Sequence, residues 1–232
     1  MLEQKLQITT LPSDTTCEYN FKTVIIGEPG VGKSSIISRG VNNIFTNDYK
    51  TTVCFDHSWK NYKVNDLKIR IQLWDTCGQE MYHSIIKNFY KNALCIFIVF
   101  AINNIKSFKA LSFWIKEIED VSSEGIIIFL IGNKNDIKNE KVVSDDEINK
   151  FIKENNIKKY FETSAANGDN INNLFEETVK ELYFKHISPL INYNESRVST
   201  NSNVVSKDEF HAFNLENQDN ENEEICKNCV LC

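Results

Sequence analysis

One stretch, from Gly27 to Ser34, has residue types and spacing that suit phosphate binding. It reads Gly-Glu-Pro-Gly-Val-Gly-Lys-Ser and fits the pattern G-x-x-x-x-G-K-[ST]. Glycines let the backbone curl until successive N–H groups converge on phosphate oxygens. An ordinary Gly-Pro turn is the alternative, but three of the chain's eight glycines fall within the six residues 27–32. The predicted phosphate-binding set is Gly30, Val31, Gly32, Lys33, Ser34 and Ser35.

Two residues of this loop have predicted roles of their own. Lys33 is expected to reach the β and γ phosphates and so to assist catalysis. The Ser34 hydroxyl is expected to bind Mg²⁺. The stretch from Phe21 to Ile26 reads as the strand before the loop, and a helix opening at Ser34 would direct its positive dipole end at the phosphates.

Strand and helix patterns alternate along the rest of the chain, which predicts a mainly parallel sheet with helices on both faces. The predicted strands after the loop are 55–64, 67–74, 94–100, 126–131 and 160–163. Apolar residues at helical spacing predict helices over 107–121, 145–155 and 171–187.

The composition limits the class of protein. The chain has 232 residues, of which 41% are hydrophobic, so one domain with a tail is expected. A net charge of −6 argues against a broad nucleic-acid-binding surface. The seven cysteines resemble no disulfide framework, and the compartment is expected to be the reducing cytosol.

Both ends of the chain differ in composition from the middle. Residues 1–18 are polar and are interpreted as a flexible extension. Residues 188–232 are rich in Asn, Ser, Glu and Asp, and are interpreted as a disordered acidic tail.

A second motif, Asn133-Lys134-Asn135-Asp136, follows a predicted buried strand. Ligands of open α/β sheets bind beyond the carboxyl ends of strands. Asp136 can accept two N–H groups from a guanine edge, whereas adenine offers no matching pair. Asn133 can bond to ring acceptors, and the Lys134 stem can lie along the base. The motif therefore predicts guanine recognition and disfavours an ATP-using P-loop kinase.

Three further stretches complete the predicted site. In Trp74-Asp75-Thr76-Cys77-Gly78-Gln79-Glu80, Asp75 can hold Mg²⁺ through its water shell, and the Gly78 N–H can approach a γ-phosphate. Gln79 can orient the attacking water, which makes it the second catalytic candidate. Thr52 can bind Mg²⁺ only while a γ-phosphate is present, so its loop would be a switch. Ser164 and Ala165 end the last strand, where small residues allow backbone to approach the base.

These residues, in this order, resemble those of the Ras-superfamily small GTPases, and the resemblance covers residues 19–187. It implies the P-loop NTPase fold with a six-stranded sheet and five helices, with GTP or GDP and Mg²⁺ bound. Phe45 matches the family's aromatic that packs on the guanine face; the alternative is an ordinary loop aromatic. No arginine is an evident catalytic finger, so a GTPase-activating protein is expected to supply one.

The branch of the superfamily is read from smaller features. Lys-Ile-Arg-Ile-Gln-Leu-Trp before Asp75 is similar to Rab proteins, whereas Cys229-Val230-Leu231-Cys232 is similar to Ras. Rab is favoured, which implies vesicle traffic; a Ras-like signalling GTPase is the alternative. Cys54 and His57 stand where Rab proteins have a glycine and an aromatic residue, on the surface that effectors and escort proteins bind. Pro29 lies beside the expected γ-phosphate position, where a proline fixes φ and removes an N–H donor, so the rate of hydrolysis could change in either direction. It motivates a further alternative, a scaffold that holds its nucleotide and barely hydrolyses it.

The chain ends in a cluster of cysteines, Cys226, Cys229 and Cys232. Prenylation is predicted, and two lipidated cysteines are expected because a single lipid anchors only weakly. The alternative is a metal site, since the three thiols have metal-ligand spacing, but the sequence offers no fourth ligand beside them. The expected protein is a monomeric switch on the cytoplasmic face of an endomembrane or the plasma membrane, with a cytosolic pool. Its expected partners are effectors, exchange factors and GTPase-activating proteins.

Overall fold

The fold is built on one seven-stranded sheet. The computed structural model describes residues 6–47, 56–76, 90–120 and 125–198. The strands lie in the order β1-β3-β4-β2-β5-β6-β7. They are β1 (Ile8–Leu11), β2 (Tyr19–Ile26), β3 (Asp56–Val64), β4 (Leu67–Asp75), β5 (Cys95–Ala101), β6 (Ile127–Asn133) and β7 (Lys159–Glu162). Strands β4, β2, β5, β6 and β7 run parallel, and the β1–β3 and β3–β4 pairs are antiparallel. The predicted α/β class with a mostly parallel sheet is confirmed, with one strand more than six.

Helices connect the parallel strands. They are α1 (Lys33–Asn42), α2 (Ile105–Lys109), α3 (Leu111–Glu119), α4 (Asp145–Glu154) and α5 (Ile171–Leu182), with a 3₁₀ helix at Asn135–Glu140 and a π-helical turn at Tyr183–Ile187. Ser144 caps α4 in a capping box with Glu147. The predicted helix start at residue 107 is two residues late, because the Asn104 side chain accepts the Lys106 and Ser107 N–H groups and caps α2.

Apolar runs place the central strands in the core. All seven side chains of β5 are buried, as expected for a parallel strand covered on both faces. In β4, Ile69, Ile71 and Leu73 are buried and alternate with half-buried polar residues. The core therefore holds the carboxyl ends of β2, β4 and β6 in fixed positions at one edge of the sheet.

The prediction that residues 1–18 are a flexible extension is wrong for part of that range. Ile8–Leu11 forms β1, which pairs with β3. Residues 1–18 are polar as a whole, yet threonine is β-branched, so the run Ile-Thr-Thr-Leu suits a pleated strand. Pro12 follows directly and ends the strand, since it has no N–H group to donate.

The prediction that disorder begins at residue 188 is also wrong for its first part. Ser188–Val198 forms helix α6. Pro189 lies in its first turn, where the lost N–H would have no partner within the helix. Residues 199–232 lie outside the described residues, so the predicted disorder there stays a prediction. The chain divides into two units, Met1–Ile187 and Ser188–Cys232. No helix in the described ranges is long and apolar enough to cross a membrane.

Candidate functional site

The phosphate-binding candidate is the loop between β2 and α1. Gly27 has φ +138°, and a Cβ there would lie 2.2 Å from the Val99 carbonyl oxygen. Gly32 has φ +99°, and a Cβ there would lie 2.3 Å from Asn133 Nδ2. Both positions therefore require glycine, for backbone conformation and for space. The loop can pack this tightly against β5 and β6 only with these residues.

The Lys33 side chain folds back along the inside of this loop. Its Nζ donates to the Gly27 and Glu28 carbonyl oxygens at 2.8 and 3.0 Å. Lys33 is only 6% exposed, so its charge is held close to the loop backbone. This places one positive charge beside the predicted phosphate position, at the positive end of helix α1.

The loop also carries a carboxylate, which the structure ties to a helix. Glu28 Oε1 accepts a hydrogen bond from Trp114 Nε1 of α3 at 3.2 Å. Trp114 is 1% exposed and belongs to a hydrophobic core cluster. Sequence reasoning missed this contact, since nothing in either residue's local pattern predicts a partner 86 residues away.

The two predicted metal-binding residues of the described chain lie together. The Ser34 hydroxyl donates to Asp75 Oδ2. Asp75 is 4% exposed, and its Oδ1 has no hydrogen-bond partner among the described residues. Burial raises the pKa of the Asp75 carboxyl, while the hydrogen bond from Ser34 and the charge of Lys33 oppose that rise. A buried carboxylate oxygen without a donor, beside a serine hydroxyl, fits a hydrated divalent cation.

Asn133, at the end of β6, joins the two predicted ligand-binding loops. Its Nδ2 donates to the Val31 carbonyl oxygen at 2.8 Å. Its Oδ1 accepts from Thr163 Oγ1 and from the Ala165 N–H, both at 3.2 Å. Asn133 is 2% exposed, so these are buried hydrogen bonds. The side chain therefore fixes the phosphate loop to the loop that follows β7.

The predicted guanine-binding residues surround the same edge. Ser164 Oγ donates to Asp136 Oδ1 at 2.6 Å, so the carboxylate is oriented by the loop after β7. Lys134 has φ +71°, a left-handed conformation that turns the chain sharply between Asn133 and Asp136. Ser164 and Ala165 are buried.

Arg39 of α1 is a further residue that sequence reasoning missed. Its Nε and Nη2 donate to the Ala165 and Ala166 carbonyl oxygens at 2.9 and 2.7 Å. Its guanidinium also lies 6.0 Å from the centre of the half-buried Phe45 ring. Arg39 therefore links α1, Phe45 and the loop after β7. Its position in the last turn of a helix gives no local signal for this role.

Several predicted residues lie outside the described residues. They are Thr52, Gly78, Gln79, Cys226, Cys229 and Cys232. Their roles stay predictions, as do the ligand contacts of the described site residues.

The sequence is similar to a known protein family and to several known proteins. The model of the Ras family matches residues 22–184. Ras-related protein Rab-11C of Dictyostelium discoideum is 35% identical over 173 residues, which cover 75% of this chain and 77% of the relative. GTP-binding protein ypt3 of Schizosaccharomyces pombe is 36% identical over 166 residues, covering 72% and 77%. Ras-related protein Rab11B of Nicotiana tabacum is 35% identical over 166 residues, covering 72% and 76%.

The chain therefore belongs to the Ras family of small GTPases, and it is an enzyme that hydrolyses GTP. Within that family it lies on the Rab branch, since Rab-11C and Rab11B are each 35% identical to it over about three quarters of their own length. The predicted family, branch and GTPase activity are confirmed.

Proposed function

We propose that this GTPase is a GTP/GDP switch that binds its nucleotide with Mg²⁺ and regulates vesicle traffic on an endomembrane. The observation that carries the proposal is the joint placement of the two ligand-binding loops. Asn133 bonds to the phosphate loop and to the loop after β7 through one buried amide. A nucleotide lying across the carboxyl ends of β2 and β6 would contact both loops at once.

The chain's own groups supply most of what phosphate binding needs. The loop amides and Lys33 bring positive charge to the phosphates. Ser34 and Asp75 would hold Mg²⁺, with Thr52 as a further ligand in the GTP state. Mg²⁺, when bound, neutralises charge on the phosphate oxygens. Gln79 would position the attacking water, while Gly78 would present its N–H to the γ-phosphate.

Asp136 is the residue that we expect to select guanine. Its carboxylate accepts from Ser164 through Oδ1, and Oδ2 remains as an acceptor for a base N–H. Lys134 and Phe45 would flank the base. The selection depends on a carboxylate, since a carboxamide would offer a donor where the guanine N–H groups need an acceptor.

The test is Asp136→Asn, with Asp169→Asn as the matched control. Asp169 is a nearby carboxylate that accepts from Asn135 Nδ2 at 3.1 Å and has no predicted contact with the base. We expect Asp136→Asn to lose GDP affinity by more than tenfold and to gain affinity for xanthosine diphosphate. Displacement of a fluorescent nucleotide measures both affinities. The control should keep its preference for GDP. Unchanged GDP affinity in Asp136→Asn would overturn the guanine assignment.

The membrane part of the proposal depends on the Rab relatives and on the cysteines at the chain end. We propose that two of Cys226, Cys229 and Cys232 carry lipids, because one chain binds membranes only marginally. Intact-mass measurement of protein from its native cell should give the mass of two lipid groups. One lipid or none would contradict this anchor. An effector, an exchange factor and a GTPase-activating protein would then act on the membrane-bound form.

A further inference from the structure

The N-terminal strap, defined as residues 7–18, is bound along the edge of the sheet. Its strand β1 pairs antiparallel with the second half of β3, from Ile8 opposite Val64 to Leu11 opposite Asn61. The Asn65 N–H donates to the Gln7 carbonyl oxygen at 2.9 Å, which extends the ladder by one pair. Without the strap, β3 would present unpaired backbone groups at this edge, and such edges accept strands from other chains.

Two side chains of the β3–β4 hairpin hold the turn that follows β1. Asn61 Nδ2 lies 2.8, 3.2 and 3.3 Å from the carbonyl oxygens of Pro12, Ser13 and Thr15. Arg70 Nη2 donates to the Thr15 carbonyl oxygen at 2.9 Å. Arg70 Nε also donates to Asn61 Oδ1 at 2.9 Å, so the two side chains form one unit.

Asn61 is a polar residue with almost no exposure to water. It is 1% exposed, and three of the strap's carbonyl groups surround its amide. If the strap left, this amide would lose its partners, which costs free energy unless another carbonyl-rich segment replaces them. The hairpin is therefore built to receive an extended segment followed by a tight turn.

Other contacts continue the strap to β2 and set its direction. Trp59 Nε1 donates to the Ser13 carbonyl oxygen at 3.1 Å. The Lys68 N–H donates to a Glu18 carboxylate oxygen at 3.0 Å, and the Glu18 N–H donates to the Lys68 carbonyl oxygen at 2.9 Å. The Lys68–Glu18 contacts lie near the turn of the hairpin, at the far end from Asp75, which pairs with Asp56.

We propose that this edge of β3 is a docking site for an extended peptide segment, that the chain's own strap occupies it in the closed state, and that Asn61 with Arg70 is the latch. Main-chain hydrogen bonds would supply affinity, and the latch would select segments that turn after four strand residues. While the strap is closed, no outside segment can pair with Asn61–Val64.

The ladder offers a matched pair of variants. Since Gln7 and Asn65 are hydrogen-bonded partners, alternation makes Thr9 opposite Lys63 a hydrogen-bonded pair and Thr10 opposite Tyr62 a non-hydrogen-bonded one. The Thr9 N–H therefore faces β3, and the Thr10 N–H faces away. Thr9→Pro removes a ladder donor, whereas Thr10→Pro introduces the same ring without removing one.

The experiment uses the full chain with GDP bound and a fluorescein-labelled peptide of residues 6–18. We expect Thr9→Pro to bind the peptide at least about tenfold more tightly than wild type or Thr10→Pro, by fluorescence anisotropy. Hydrogen exchange at residues 61–65 should be faster in Thr9→Pro alone and should slow again when peptide is added. GDP affinity should be unchanged in both variants, because neither position lies near the nucleotide site.

Asn61→Ala tests the latch. The strap of this variant should open by hydrogen exchange, yet the peptide should bind more weakly than to Thr9→Pro, because strap and peptide lose the same contact. Equal peptide affinity in wild type and Thr9→Pro would overturn the closed state. An open strap in Thr9→Pro without peptide binding would overturn the docking site, and full peptide affinity in Asn61→Ala would overturn the latch.

Discussion

Substitution of Asn133 by alanine tests whether one side chain couples the two halves of the site. Asn133→Ala leaves three buried groups without their partner: the Val31 carbonyl, the Thr163 hydroxyl and the Ala165 N–H. An unsatisfied buried group costs about 1–3 kcal/mol, so a total of about 3 kcal/mol is expected at the low end. For a chain of this size that corresponds to a fall in Tm of roughly 6–12 °C.

Nucleotide affinity should fall with stability, because GDP in the proposed site would contact both loops and the variant leaves them free to separate. Fluorescent GDP should dissociate at least about tenfold faster, which corresponds to 1.4 kcal/mol of the lost coupling. Thermal unfolding and stopped-flow displacement of the labelled nucleotide measure the two effects separately.

Asn135→Ala is the matched control, since it removes the same side chain two residues along the same loop. Asn135 makes one side-chain hydrogen bond, to Asp169, and its Oδ1 has no partner among the described residues. Its loss should cost about 1 kcal/mol and leave GDP dissociation nearly unchanged. If Asn133→Ala were no worse than Asn135→Ala in both measurements, Asn133 would not couple the loops.

Two more predictions concern buried nitrogen groups. Trp114→Phe keeps an aromatic ring in the core but removes the hydrogen-bond donor to Glu28. The freed carboxylate would lie beside the phosphates, so GDP affinity should fall about tenfold. The double variant Trp114→Phe with Glu28→Gln should recover most of that affinity, and no recovery would refute a role for the Trp114–Glu28 hydrogen bond. Burial lowers the pKa of the His186 imidazole from 6.5, and the charge of Lys185 acts in the same direction. The unfolded chain therefore binds a proton at this histidine more readily than the folded chain does. The free energy of unfolding should consequently decrease as pH falls below 6.5. His186→Gln should flatten that part of the stability curve in urea unfolding between pH 7 and pH 5, and an unchanged slope would refute the assignment.

The predicted site residues that the structure brings together lie in short continuous patterns. The phosphate loop follows β2, Asp75 ends β4 and Asn133 ends β6. The apolar run of each strand is visible locally, so strand and site are found together. The contacts that were missed join distant segments: Arg39 bonds to Ala165 across 126 residues, and Trp114 to Glu28 across 86. Side-chain partners at such separations depend on the packing of whole elements, which no local period reports.

The errors at the two ends have a different cause, the averaging of composition over long windows. Residues 1–18 are polar as a whole, yet Ile8–Leu11 suits a strand and finds an open edge to pair with. Residues 188–232 are acidic as a whole, yet the first eleven form a helix. In both cases a short segment departs from the average of its surroundings, and β1 is stabilised by a partner that the averaged window does not contain.

The Asn133 side chain connects the phosphate loop with the loop after β7. The sequence alone predicts that the asparagine of Asn-Lys-x-Asp bonds to the base, and it predicts no contact between that asparagine and the phosphate loop. In the structure its amide binds Val31 on one side and the loop after β7 on the other, while Asp136 is held by Ser164 of that same loop. The predicted phosphate-binding loop and the predicted base-binding loop are thus joined through a single buried side chain. A change in the phosphate loop should therefore alter base affinity as well, even where no residue that contacts the base has been changed.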